Sequence, residues 1–121
     1  MRNFLILASL SLLAAAPVSA QDRGEIGYPQ GSLGFDALIA GDLRTAELQL
    51  RAGPAAKDDP AVLLNLGQIY VTTGRTEEAE AAFRRVLGSP NVELVLASGR
   101  EMSSHRAASL GLRSVARTAS R

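Results

Sequence analysis

The chain has no cysteine and no tryptophan, a single histidine, and so few aromatic residues that they fill only 4% of its 121 positions. The missing cysteine excludes disulfides, thiol nucleophiles, thiolate metal sites and a lipid-modified cysteine. With one histidine, a histidine-cluster metal centre is excluded too. Neither sign of charge dominates, since 13 Lys and Arg face 12 Asp and Glu, and nucleic-acid binding driven by bulk electrostatics is therefore not expected. A chain this poor in large anchors must build its core from Leu, Ala, Val and Ile, which favours helices.

What is present begins with an address. Arg2 precedes an apolar run, Phe4 to Ala16, and Val18-Ser19-Ala20 supplies small residues at a cleavage position. Residues 1–20 are read as a secretory signal peptide cut after Ala20, because a spanning helix needs about 20 apolar residues and Pro17 breaks the run. The protein is thus expected to be exported, periplasmic or secreted. Residues 21–31 (QDRGEIGYPQG) carry three glycines and a proline without periodicity and read as a flexible leader.

Residues 32–90 contain an internal repeat. A shift of 33 positions superimposes Leu33-Gly34 on Leu66-Gly67, Gly41 on Gly74, Ala46 on Ala79 and Leu50 on Phe83. In the second copy, residues 59–90, Asp59 is placed to cap a helix with Pro60 at its first position, and Leu63, Leu66, Gly67 and Tyr70 form one stripe. Gly74 ends that helix. Thr76 is placed to cap the next, Glu77 and Glu78 lie at its positive end, and Ala79, Ala82, Phe83, Val86 and Leu87 form its apolar face before Gly88-Ser89-Pro90. In the first copy, residues 32–58, Ser32 caps a helix to Ala40, Gly41-Asp42 turns the chain, and Leu43, Ala46 and Leu50 mark a second helix ended by Gly53-Pro54.

The Leu66-Gly67 pair, Tyr70, Gly74, Ala79 and Phe83 in this spacing resemble a tetratricopeptide repeat (TPR). Leu63 stands where the family often has tryptophan, and Ala37 replaces the tyrosine in the first copy. The resemblance implies helix-turn-helix units whose first helices line a groove for a peptide or a partner helix. On that basis Leu64, Asn65, Gln68, Val71 and Thr72 of the second copy, with Phe35, Leu38 and Ile39 of the first, are the expected partner-binding residues. Asn65 and Gln68 suit an extended backbone, while Phe35, Leu38 and Val71 suit apolar contact.

The resemblance stops before residues 91–121. Val92 to Leu96 is dense and β-branched, and reads either as one arm of a short hairpin closed through Ala97 to Arg100, or as a worn helix from Glu93 to Met102. Beyond it, Ser104 is placed to cap a last helix to about Ala119, with Ala108, Leu112, Val115 and Ala119 on one side and Arg106, Arg113 and Arg117 on the other. Residues 97–121 hold five arginines and one glutamate, whereas residues 21–96 hold seven basic and eleven acidic groups. The charge is therefore polarised along the chain.

Catalytic chemistry has little to stand on. Ser103, Ser104 and His105 are neighbours in sequence, but a hydroxyl and its base must meet across about 3 Å with a third group behind them, and neighbours on a helical turn point apart. Asp58-Asp59 and Glu77-Glu78 fall at helix starts, where carboxylates act as caps and dipole partners. No catalytic, cofactor-binding or metal-ligating residue is assigned, and the protein is not expected to be an enzyme.

The expected fold is mostly α: two TPR-like hairpins, a short β-hairpin and a C-terminal capping helix. The expected function is an exported adaptor that binds a protein or peptide segment. The alternative is a structural envelope protein that self-associates or touches anionic membrane through its basic last helix.

Overall fold

The computed structural model describes residues 15–17, 35–53, 57–96 and 98–120. Most of the expected signal peptide, the leader, the Ser32 cap, the Leu33-Gly34 match and the side chain of Phe35 lie outside the described residues. The elements run β1 (Ala15–Pro17), α1 (Phe35–Ala40), α2 (Leu43–Ala52), α3 (Pro60–Thr72), α4 (Thr76–Leu87), β2 (Glu93–Leu96), β3 (Glu101–Ser103) and α5 (Ser104–Ala119). The protein is mostly helical with a small antiparallel sheet.

The 33-residue repeat has a geometric counterpart. Gly41 and Gly74 both take positive φ, 81° and 80°, the left-handed conformation that glycine adopts without steric cost. Around each, the same bonds recur: Gly41 N–H donates to the Leu38 carbonyl and Asp42 N–H to that of Ala37, as Gly74 does to Val71 and Arg75 to Tyr70. Ala46 and Ala79, then Leu50 and Phe83, are fully buried at matching positions of α2 and α4.

Asp59 caps α3 as its sequence suggests, accepting from Ala61 N–H at 2.8 Å with Pro60 at the first turn. Asp42 does the same for α2 through Thr45, by backbone N–H at 3.1 Å and hydroxyl at 2.6 Å. Two expected caps are displaced by one residue. Arg75, not Thr76, is the N-cap of α4 and makes no side-chain cap bond, because a guanidinium has no acceptor; it donates to Glu47 instead. Ser103, not Ser104, caps α5 by accepting from Arg106 N–H at 3.2 Å.

α3 is the centre of the core. Its buried residues include Val62, Leu63, Leu64, Leu66, Ile69 and Tyr70, which point in every direction around the axis, as in a helix enclosed on all sides. It packs on α4, α5, α2 and β1. α4 is amphipathic, with Ala79, Ala82, Phe83 and Val86 inward. Leu87, expected on that face, is 37% exposed, since it falls at the last residue before Gly88 turns the chain. α5 packs Ala107, Ala108, Gly111 and Val115 inward, while Ala119 is exposed at its end.

Residues 92–103 form the hairpin rather than a worn helix. β2 pairs with β3 in the register Glu93↔Ser103, Leu94↔Met102, Val95↔Glu101, and Gly99 supplies a φ of 85° in the connection. A junction around the buried Ser104 ties the hairpin to α5: the Ser104 hydroxyl accepts from Val92 N–H at 3.0 Å and donates to Asn91 Oδ1 at 3.3 Å, which also accepts from His105 N–H. The sheet has a third strand that the sequence did not suggest. β1, inside the expected signal peptide, pairs antiparallel with the other edge of β2.

Candidate binding face

The groove residues expected on the first helices are distributed between core and surface. Leu38 at 1%, Leu64 at 0% and Asn65 at 1% exposure are buried, which corrects their expected place on an open face. The reason is that α3 has neighbours on more sides than a two-hairpin stack provides, with α5 and β1 added to α2 and α4. Gln68, Val71 and Thr72 remain half-exposed, and Ile39 is exposed. Among the described residues, these are the members of the expected set accessible to another molecule.

The half-open part of α3 has a mixed chemistry. The Thr72 hydroxyl donates to the Gln68 carbonyl at 2.9 Å, a bond within the helix. Gln68 Oε1 is buried and accepts no hydrogen bond among the described residues. A buried amide oxygen without a donor is costly, on the order of 1–3 kcal/mol, unless something supplies one. Ala15–Pro17, in extended conformation, is bordered by α3 and by the edge of β2.

The opposite side of α3, about 165° around the helix, carries the stripe of Leu63, Leu66 and Tyr70. A shallow cavity of about 420 Å³ lies over it, with Arg51, Lys57 and Arg85 around the rim and Glu78 facing them. Both arginines are already engaged. Arg85 donates to the Lys57 carbonyl and reaches Asp58 Oδ1 at 3.3 Å, while Arg51 pairs with Glu47 at 3.2 Å.

Glu47 accepts from two arginines, Arg75 and Arg51. It receives Arg75 through both carboxylate oxygens, at 2.6 and 3.0 Å, linking α2 to the turn between α3 and α4. The Arg75 guanidinium beside it holds the Glu47 carboxyl below the usual carboxylate range. The same guanidinium lies 4.6 Å from the Tyr70 ring centre, a cation–π contact, and burial pushes the Tyr70 hydroxyl up. These groups fasten one hairpin to the next.

Ser103, Ser104 and His105 are similarly occupied with structure. Ser103 is a cap, Ser104 sits in the Asn91–Val92 junction, and His105 Nε2 is 2.6 Å from the Ser89 carbonyl. No group of three metal-ligating side chains is found among the described residues, nor a helix long and apolar enough to cross a membrane.

On α5, Arg106, Arg113 and Arg117 are exposed on one stripe with Leu110 among them, and none makes an ion pair among the described residues. The residue that sequence reading missed is Gly111. Its signal, a Leu110-Gly111 pair like Leu66-Gly67, stands in the sequence but lies out of the 33-residue register because the hairpin intervenes. No family model, curated protein or solved structure matches the chain.

Proposed function

We propose that the protein is an exported adaptor that captures a segment of another protein on the half-open part of α3 carrying Gln68, Val71 and Thr72. The observation that carries this reading is the Gln68 oxygen, buried at the border between core and surface and without a donor among the described residues. The Gln68 side chain is itself half-exposed, and turning its amide outward lets an incoming backbone N–H satisfy the oxygen, with Val71 and Thr72 adding apolar contact. The resemblance to TPR units favours the same helix, and the apolar run ending in small residues favours export. The occupied roles of Ser103, Ser104 and His105 favour binding over catalysis.

A photo-crosslinking residue at Val71 of the full-length chain, expressed in its native cell, tests the proposal, with the same probe at Arg113 as control. A discrete adduct from position 71 alone, weakened by Gln68→Ala, is expected. Identical adducts from both positions, or none from position 71, refute it.

A second reading has its own support in the stripe of Arg106, Arg113 and Arg117, without an ion pair among the described residues, with exposed Leu110, which suits an anionic membrane surface. Co-sedimentation with anionic but not neutral vesicles, lost on changing the three arginines to glutamine, separates it from the adaptor reading.

A further inference from the structure

We infer that the outer edge of β2 is a strand-addition site for an extended segment of small apolar residues from a partner protein, and that Ala15–Pro17 holds this site closed in the full-length chain. The inference rests on the adaptor and export reading above and adds the mode of capture and the chemistry of what is captured.

β2 lies in the middle of the sheet order β1-β2-β3. Leu96 N–H donates to the Arg100 carbonyl, so the backbone groups of Leu96 and Leu94 turn toward β3. Antiparallel alternation then turns the N–H and C=O of Val95 to the opposite edge, where Ala16 stands directly across from it. Natural edges are guarded by lysine, proline or a bulge. Leu94-Val95-Leu96 has none of these, and what covers it is β1.

The seated segment shows what the edge accepts. Its register is Ala15↔Leu96, Ala16↔Val95 and Pro17↔Leu94. Only the central residue must offer both backbone groups. Pro17 lies opposite Leu94, a position whose backbone bonds go to β3, and its missing N–H removes nothing from the β1–β2 ladder. The segment that borders both β2 and α3 is Ala15-Ala16-Pro17, which carries no residue larger than proline. With three residues, β1 is shorter than the usual strand of about five or six, so a longer segment of the same kind gains more backbone bonds and displaces it. Ala15–Pro17 also lies within the residues expected to be cut away on export, which would leave the Val95 groups open.

Amide exchange at Val95, followed by NMR, tests this in the full-length chain and in its Ala16→Pro variant. The proline removes the Ala16 N–H and sets its ring against β2, which breaks the pairing. Leu94, whose amide faces β3, reports that the fold is intact. Val95 is expected to exchange roughly tenfold or more faster in the variant while Leu94 is unchanged. A synthetic peptide of residues 12–20 added to the variant restores protection saturably, and the same peptide carrying Ala16→Pro does not.

Equal protection of Val95 in both chains overturns the inference, as does protection in the variant that rises with protein concentration, which assigns the edge to a second copy. Failure of the peptide with persistent Val71 adducts removes strand addition and leaves the adaptor reading standing. Restored protection without Val71 adducts does the reverse.

Discussion

Gly67 and Gly111, on different helices, both abut the tip of the Phe83 ring. A Cβ at either position would lie 2.5 Å from Phe83 Cε1, nearer than such atoms ever come. The ring is completely buried and cannot swing away, so three helices meet at a point where two must lack side chains.

Alanine at either glycine is therefore expected to destabilise. In an open helix Gly→Ala gains about 1 kcal/mol, but here overpacking should reverse the sign and cost about 1–3 kcal/mol. Urea unfolding of Gly67→Ala and Gly111→Ala checks this. Adding Phe83→Leu should recover part of the loss in each, a non-additivity that a double-mutant cycle reads. Unchanged midpoints refute the contact.

Glu47→Gln should cost about 0.5–1.5 kcal/mol near neutral pH, the range of a partly exposed, doubly bonded pair. Because Arg75 lowers the Glu47 carboxyl in the folded state, its contribution is full above the unfolded glutamate value and is lost as pH falls through the lowered one. The stability difference between wild type and variant should accordingly shrink on acidification. A difference independent of pH between neutrality and strong acid contradicts the assignment.

Gly74→Ala tests backbone strain without a clash, since nothing lies within 4 Å of the added carbon and φ is +80°. A loss of about 1–2 kcal/mol is expected from the left-handed conformation alone. Gly74→Asn should lose less, because asparagine tolerates that region better. Thermal melts of the two variants should rank in that order.

Ser104→Ala leaves the Val92 N–H without its side-chain acceptor in a part-buried bond and removes a neighbour of Asn91. A cost of about 0.5–1.5 kcal/mol follows. Amide exchange should show the loss concentrated at residues 91–104, with the α3–α4 pair retained. Uniform loss across the chain counts against a local junction.

Much of the helical part is legible in the sequence because its signals are local. Asp59-Pro60, Gly41, Gly74 and the Ala46/Ala79 pair each do in space what their residue types require. Helical periodicity separates the two sides of α3, but it cannot count how many neighbours the helix has, and so Leu64 and Asn65 read as surface. The run from Val92 to Leu96 was ambiguous because its conformation is decided by partners far along the chain, Ser104 and the strand at Ala15–Pro17. Gly111 escaped because an inserted hairpin shifts it out of phase with Gly67.

The shared ring also bears on how the molecule comes apart. Arrays of helical hairpins usually fray unit by unit from their ends, each module answering mainly to its neighbour. Here the terminal helix closes on the same aromatic plug as the central one, so peeling it away uncorks the middle of the protein. A protease that nicks the chain just before Ser104 would thus dismantle the whole assembly rather than trim it.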